Sequence, residues 1–251
     1  MKIVLSGACG RMGGNITELA AEHGVTIVAG VDVSPAPMPY PVYKSIEEVH
    51  ETADAVIDFS AASAAKATLA YCRARRLPAV LAATGFTEDD LRAAEEAARE
   101  IPVFRTGNFS LGINLLQLLA KKAARILGDG FDVEIVERHH RMKKDAPSGT
   151  ALMLAESVNE ALGGSKENVC GRCGMVGARR QSEIGIHAVR GGTIVGEHEV
   201  MFAGADEIVT LSHSARSRKV FAAGALRAAK WLAGRAPGSY DMDDLLAQYI
   251  D

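Results

Sequence analysis

The sequence predicts an α/β protein with a Rossmann-like dinucleotide-binding domain and a second α+β domain that contains a mixed sheet. In residues 1–109, short apolar segments alternate with helical segments, which favours parallel strands joined by right-handed crossovers. After residue 110, an alternating strand and three extended segments joined by glycine-containing turns are typical of an antiparallel or mixed sheet. We therefore assign 1–109 and 217–251 to the dinucleotide-binding domain and 110–216 to the second domain.

Local signals predict each element. Apolar runs predict strands at 2–6, 25–31, 53–59, 79–83 and 102–105, and helices are predicted between them at 11–22, 61–76 and 87–100. Thr87 precedes three acidic residues, which is typical of a helix N-terminus. In the second domain we predict helices at 111–127 and 149–162, and strands at 131–137, 183–190, 193–202 and 207–213. A last helix, 217–232, is expected to pack against the first domain.

The composition argues against several classes of protein. The 251 residues carry a formal net charge of -3, which gives no electrostatic case for binding nucleic acid or an anionic membrane. No apolar run is long enough to span a bilayer, and the first residues do not resemble a signal peptide, so we expect a cytoplasmic protein. Cys170 and Cys173 form a Cys-x-x-Cys pair without further zinc ligands nearby, so we expect free thiols and no metal.

The first candidate site is a glycine loop. Gly7, Gly10 and Gly13 follow an apolar strand and open a helix. A tight turn and a close approach of pyrophosphate to main-chain amides both require glycine, and the helix N-terminus adds a partial positive charge. The pattern therefore predicts a dinucleotide site, and the alternative is a tight turn that binds nothing.

Asp32 ends the second predicted strand, where a carboxylate can accept hydrogen bonds from the adenosine ribose. The same carboxylate repels a 2′-phosphate, and Val33 offers no cation to compensate. Lys44 could compensate, but it lies beyond a proline-rich segment. We expect NADH to be favoured or both cofactors to be used; the alternative is a solvated acid at a strand end.

The second candidate site is the segment 137–150, which contains two histidines, several lysines and arginines, and then a predicted helix start. Ser148 or Thr150 can cap that helix, and Gly149 allows an anion to approach the backbone. Free amides at the helix start, with Lys143 nearby, predict a carboxylate site. His139 or His140 can exchange protons near neutral pH.

This segment closely resembles the signature of the dihydrodipicolinate reductase (4-hydroxy-tetrahydrodipicolinate reductase) family. Further matches occur along nearly the whole chain, at 7–13, 58–60, 84–86, 108–110, 195–198, 217–218 and 240–242. One departure is Ala82-Ala83-Thr84-Gly85-Phe86, where the family usually has Gly-Thr-Thr-Gly-Phe. Ala83 lacks the hydroxyl, so a side-chain contact to the cofactor is lost there, whereas backbone contacts can remain.

The resemblance implies an oxidoreductase that uses NADH or NADPH to reduce 4-hydroxy-tetrahydrodipicolinate with loss of water, in lysine and diaminopimelate biosynthesis. It implies that His139 is the acid/base and Lys143 a second proton donor, and that the second domain binds the substrate and forms a homotetramer. The implied substrate-binding residues are His140, Lys143, Ser148, Gly149 and Thr150. The implied cofactor-binding residues are Gly7, Ala8, Cys9, Gly10, Arg11, Met12, Asp32, Phe59, Ala82, Ala83, Thr84, Thr106, Gly107, Asn108 and Phe109.

Two other functions remain open at this point. Another two-domain reductase, such as an amino-acid or semialdehyde dehydrogenase, would share the glycine loop but would not need the segment 139–150. A non-enzymatic nucleotide sensor would bind NADH tightly without turnover. For the remaining polar residues we expect structural roles: His187, His198 and His213 at a sheet surface or interface, Arg190 in a turn or subunit contact, and Asp145 as a loop-fixing acid.

Overall fold

The structure is a computed structural model that describes residues 1–249. The chain divides into two compact units: unit 1 contains Met1–Leu111 and the segment from Arg218 onward, and unit 2 contains Gly112–Ser217. Within the described residues, no helix is both long and apolar enough to cross a membrane.

The elements alternate between strand and helix in the first part of the chain. In chain order the strands are β1 (Lys2–Ser6), β2 (Thr26–Val31), β3 (Val42–Tyr43), β4 (Ala55–Asp58), β5 (Ala79–Leu81), β6 (Pro102–Arg105), β7 (Asp132–His139), β8 (Glu167–Cys170), β9 (Glu183–Arg190), β10 (Gly196–Ala203), β11 (Ile208–Ala215) and β12 (Gly238–Tyr240). The α-helices are α1 (Arg11–Leu19), α2 (Ala65–Arg75), α3 (Glu88–Ala98), α4 (Leu111–Leu127), α5 (Gly149–Ala161), α6 (Lys219–Leu232) and α7 (Met242–Ala247). Short 3-10 helices lie at Ile46–Glu48, Ala62–Ala64 and Gly128–Gly130.

Unit 1 is a parallel sheet of seven strands in the order β12-β6-β5-β4-β1-β2-β3. Helices cover both faces because successive strand residues point to opposite sides. Ile3 and Leu5 pack with α1 and α6, whereas Val4 packs with α2 and α3 on the other face. The expectation that the helix after residue 217 packs on the first domain is confirmed.

Unit 2 is a mixed sheet of five strands in the order β11-β10-β7-β9-β8. β7 pairs antiparallel with β10 and parallel with β9. One face of this sheet packs on α4 and α5 through an apolar core that includes Ile135 and Phe202, and the burial of each such side chain contributes about 1.5–3 kcal/mol. The predicted fold class, a Rossmann-like domain and a second domain with a mixed sheet, is confirmed.

Several boundaries differ from the sequence prediction. The short strands β3, β8 and β12 were not predicted, because two to four residues give too little periodicity and their places come from pairing with a neighbour. β7 continues to His139, two residues beyond its predicted end. Its last inward positions are polar, which interrupts the hydrophobic pattern although the strand continues. Thr87 caps α3, as predicted, and the structure adds a capping box between Thr87 and Asp90.

Candidate active site

The glycine loop of unit 1 is shaped by the absence of side chains. Gly7 has a φ of +76°, and a Cβ there would lie 2.8 Å from the carbonyl carbon of Phe59. A Cβ on Gly13 would lie 2.3 Å from the carbonyl oxygen of Ala8. The amide of Gly7 donates to the carbonyl of Val31 at 2.8 Å, which fixes the loop to the end of β2. Gly10 precedes the first turn of α1, where main-chain amides have no partner inside the helix.

A cavity of about 360 Å³ lies at the carboxyl ends of β1, β2 and β4, beside this loop. It lies where the strand order reverses between β1 and β4, which is the usual ligand position in open parallel sheets. Asp32 lines the cavity, and its carboxylate accepts hydrogen bonds from the amides of Cys9 and Ser34, each at 3.0 Å. Lys44, which follows the proline-rich segment, lines the same cavity.

A second cavity in unit 1, of about 390 Å³, lies after β5 and β6. Phe59 lines both cavities, so the two are neighbours. The predicted cofactor-binding residues in the second cavity are Met12, Phe59, Ala82, Ala83, Thr84, Thr106, Gly107, Asn108 and Phe109, and those in the first are Gly7, Gly10, Asp32 and Phe59. Of the remaining three, Ala8 is buried, Cys9 is half-buried and Arg11 is exposed, and none of them lines either cavity.

In unit 2, His139 is held by a carboxylate that has no exposure to solvent. Glu137 and His139 are two residues apart on β7, so both point to the same face of the sheet. Nδ1 of His139 lies 2.6 Å from Oε2 of Glu137. Glu137 is 0% exposed and His139 is 8% exposed.

Arg190, at the end of β9, is the main partner of Glu137. Its Nη1 and Nη2 donate to the two carboxylate oxygens of Glu137, each at 2.8 Å. Nη2 also donates to the carbonyl of Asp145 at 2.6 Å. Arg190 was expected in a turn or a subunit contact, but it lies on a strand and forms a bidentate ion pair within the site. The expectation was wrong because the buried carboxylate beside it was not recognised.

Ser148, at the start of α5, completes a cluster of polar side chains around Glu137, His139 and Arg190. Ser148 caps α5 by accepting from the amide of Ala151 at 3.2 Å, and its own amide donates to Glu137 at 3.0 Å. Its hydroxyl also lies 3.1 Å from Nε2 of His198. The rings of His198 and His139 meet edge to face with centroids 5.2 Å apart. His198 was expected at a sheet surface or interface, but it is only 4% exposed and belongs to this cluster.

Lys143 is the half-buried cation in the loop between β7 and α5, whereas Arg141 and Lys144 in the same loop are exposed. Nζ of Lys143 forms an ion pair with Asp145 at 2.8 Å, which agrees with a loop-fixing role for that acid. His140 and Thr150 are half-buried and Gly149 is exposed at the first position of α5. The segment therefore brings together a histidine, a lysine and a helix start, the groups needed to bind a carboxylate and exchange a proton.

The environment sets the charge of each group. Burial lowers the pKa of His139, and the neighbouring Glu137 opposes this only in part. Burial, with the nearby His139, lowers the pKa of His198 to about 4. Burial would raise the pKa of Glu137, but hydrogen bonds from Arg190, His139 and the Ser148 amide outweigh it, so the pKa lies below its usual range. Near neutral pH the cluster therefore contains neutral imidazoles and an ionised carboxylate.

Sequence reasoning missed Glu137, Arg190 and His198. The available signal was the spacing of Glu137 and His139, because residues two apart on a strand share a face. Among the described residues, no group of three or more histidine, cysteine or acidic side chains could hold a metal ion. Cys170 and Cys173 are exposed and not disulfide-bonded.

A glycine loop on a parallel sheet, a cavity at the switch point with a second cavity beside it, and a separate mixed-sheet unit define the class of two-domain proteins with a Rossmann-like dinucleotide site. Sequence comparison specifies the family: the N-terminal dihydrodipicolinate reductase model matches residues 1–109, and the C-terminal model matches residues 112–246. The chain belongs to the dihydrodipicolinate reductase family, which confirms the resemblance.

Individual relatives agree along almost the full length. The 4-hydroxy-tetrahydrodipicolinate reductase of Caldanaerobacter subterraneus subsp. tengcongensis is 52% identical over 247 residues, which is 98% of each chain. The reductase of the same name from Clostridium botulinum is 44% identical and also covers 98% of each chain.

Solved structures agree with the fold. The dipicolinate-bound dihydrodipicolinate reductase from Paenisporosarcina sp. TG-14 has a TM-score of 0.79 at 24% identity, covering 96% of this chain and 97% of that one. A probable dehydrogenase from Thermotoga maritima has a TM-score of 0.66 at 13% identity, covering 97% and 92%. The fold is thus shared with another dehydrogenase, so the family is identified by the sequence matches and not by the fold.

Proposed function

We propose that this protein is a 4-hydroxy-tetrahydrodipicolinate reductase, which converts that substrate to tetrahydrodipicolinate with loss of water in lysine and diaminopimelate biosynthesis. The observation that carries the proposal is full-length relatedness to proteins of that name, at up to 52% identity among those given above. The arrangement of His139, Lys143 and the start of α5 supports it, because a cyclic dicarboxylate needs cations, main-chain amides and a proton donor.

The glycine loop fits a dinucleotide, since a Cβ at Gly7 or Gly13 would collide with main-chain atoms and close the turn. When bound, a nicotinamide cofactor supplies the hydride for the reduction. Residues 7–12, Asp32 and Phe59 would hold its adenosine and pyrophosphate parts. Residues 82–84 and 106–109 would line the nicotinamide part, with Ala83 acting through its backbone alone.

In unit 2, the amides of Gly149 and Thr150 with Lys143 would neutralise a substrate carboxylate and orient the ring. His140 and Ser148 would complete the substrate contacts. Once hydride has added to the ring carbon that carried the hydroxyl, the resulting enamine must take up a proton. His139 or Lys143 would supply it. The Paenisporosarcina protein binds dipicolinate, a dicarboxylate of this kind.

Three finer points belong to the same proposal. Asp32 and Lys44 line one cavity, which supports the use of NADH, or of both cofactors. The outer face of the unit 2 sheet is half-exposed along β7 and β10, which supports assembly of a homotetramer through that sheet. A cytoplasmic location is expected for a biosynthetic enzyme that uses nicotinamide cofactors.

The test is the oxidation of NADH or NADPH by the purified protein, with substrate formed in place from pyruvate and aspartate semialdehyde by the preceding enzyme. Rapid oxidation that depends on both precursors is expected, and the ratio of the two rates gives the cofactor preference. Cofactor binding without oxidation would contradict the proposal and indicate a different substrate or a sensor.

A further inference from the structure

The most completely buried charge in the candidate site belongs to Glu137. An ionised carboxylate loses its hydration on burial and is stable only where other groups replace it. Glu137 has that replacement: two donors of Arg190, the amide of Ser148 and Nδ1 of His139 all lie within 3.0 Å of its oxygens. These contacts come from three separate segments of the chain, so they fix the carboxylate in one orientation.

We propose that Glu137 and Arg190 are positioning residues that hold His139 with its proton on Nδ1, so that Nε2 is the atom that exchanges a proton with the substrate. This inference rests on the proposed function for the identity of the substrate. Because Nε2 holds no proton in the resting protein, it first takes one from solvent and then gives it to the reduced ring, which returns His139 to its neutral form. Each turnover therefore consumes one hydride and one proton.

The position of the proton follows from the acceptor. An ionised carboxylate can only accept a hydrogen bond, so the imidazole nitrogen 2.6 Å from Glu137 must carry the hydrogen. In a neutral ring the other nitrogen then has the free lone pair. Nε2 lies on the side of Gly196, where an added Cβ would come within 3.1 Å of it. Gly196 therefore places no side chain against that nitrogen.

Arg190 affects the charge state of His139 through its ion pair with Glu137. Glu137 alone would strongly favour an imidazolium at His139, because an opposite charge in contact stabilises the charged form. Burial, the largest cause, keeps the pKa of His139 below its ordinary value, and the charges of Lys143 and of the bidentate Arg190 guanidinium act in the same direction. The charged or titratable groups that face His139 are Glu137 on its own strand, Lys143 in the following loop, Arg190 on β9 and His198 on β10.

Glu137 and Arg190 therefore shift the pKa of His139 in opposite directions. Glu137→Gln removes the anion, so the pKa of His139 should fall further, and the fixed Nδ1–H tautomer should be lost. Arg190→Gln removes the cation, so the pKa of His139 should rise. Arg190→Lys retains the charge and should restore the pKa most of the way towards its value in the native protein. A purely structural role predicts no such opposition.

The measurement is a pH titration of the full-length protein labelled with ¹⁵N-histidine, followed by NMR, with His139→Gln used to assign the resonance. Glu134→Gln is the matched control. Glu134 also lies on β7 and is also held by arginines, Arg172 and Arg179, but it points to the other face of the sheet. That control should leave the His139 titration unchanged.

Activity gives an independent readout. Glu137→Gln should lower kcat by about 10²-fold, in the range that a general acid contributes, with little change in KM or in NADH affinity. A native tautomer with the proton on Nε2, or equal shifts of the His139 pKa in the Glu137→Gln and Arg190→Gln proteins, would overturn the inference. Because the titration needs no substrate, failure of the reductase assay alone would overturn the proposed function and leave the positioning of His139 intact.

Discussion

The two units prepare their candidate sites by opposite physical means. Unit 1 does so by leaving side chains out: at Gly7 and Gly13 even one methyl group would collide with main-chain atoms. Unit 2 does so by burying charge. The Glu137 carboxylate loses its hydration on burial, and hydrogen bonds from Arg190 and His139 replace that water. The first site should therefore be sensitive to added volume, and the second to the removal of a single charge.

The largest effect is expected at the groups that exchange protons. His139→Gln and Lys143→Ala should each lower kcat by about 10²- to 10⁴-fold, the usual contribution of general acid–base catalysis. NADH affinity, measured by fluorescence titration, should stay unchanged because the glycine loop belongs to the other unit. Lys144→Ala removes an exposed neighbouring cation and is the matched control. Turnover at the native rate in both test variants would refute the assignment.

A pH-dependent effect on stability is expected from His198. Its pKa in the folded protein is about 4, below the ordinary value of 6.5, because burial disfavours the imidazolium. Between these values the unfolded chain binds more protons, so the free energy of unfolding should decrease as the pH falls from 6.5 to 4, by about 3 kcal/mol at most.

The contribution of His198 is measured by urea denaturation at a series of pH values, as the difference in the free energy of unfolding between the native protein and His198→Gln. The variant keeps a side chain able to bond to Ser148 but cannot titrate. The difference should shrink steadily across that pH range, and a constant difference would show that His198 is not buried in its neutral form.

A smaller effect on stability is expected from a methyl group in the glycine loop. Gly13→Ala places a Cβ 2.3 Å from the carbonyl oxygen of Ala8, and the resulting strain should cost about 1–3 kcal/mol and weaken NADH binding. Gly14→Ala is the matched control on the same helix, since its Cβ would meet nothing within 4 Å. That control should be neutral or stabilising by up to about 1 kcal/mol. Equal unfolding midpoints for the two variants would contradict the close approach.

The smallest effect is expected at the cofactor's ribose. Lys44 is exposed, so its attraction for a 2′-phosphate is worth about 1 kcal/mol or less and should weaken with added salt. Lys44→Ala should lower kcat/KM for NADPH by roughly fivefold and leave the value for NADH nearly unchanged. Lys66→Ala, in which the lost lysine is paired with Asp89, is the control. An equal loss with both cofactors would exclude a role for Lys44 in the preference.

The same contrast between the units explains what the sequence could predict. The parallel sheet, the glycine loop and Asp32 at the end of β2 follow from short-range patterns, because apolar runs and glycine spacing act locally. His139 and Lys143 were also identified, although partly through resemblance. Their roles, and those of the other candidate site residues, stay predictions until they are measured.

The parts that escaped prediction depend on contacts between distant segments. Arg190 meets Glu137 across 53 positions of sequence, and Ser148 meets His198 across 50. No local pattern marks such pairs, and a buried polar strand end resembles a loop until its partners are known. For this reason β7 was ended two residues early, and Arg190 and His198 were given surface roles.

The most direct test of the central claim follows the hydride itself. NADH carrying deuterium at both C4 positions would be supplied with substrate formed in place, and the ring product analysed by mass spectrometry. We predict tetrahydrodipicolinate that contains one deuterium, in an amount equal to the NADH oxidised. NADH oxidation that leaves the ring unlabelled, or the absence of oxidation by protein that binds NADH, would contradict the account.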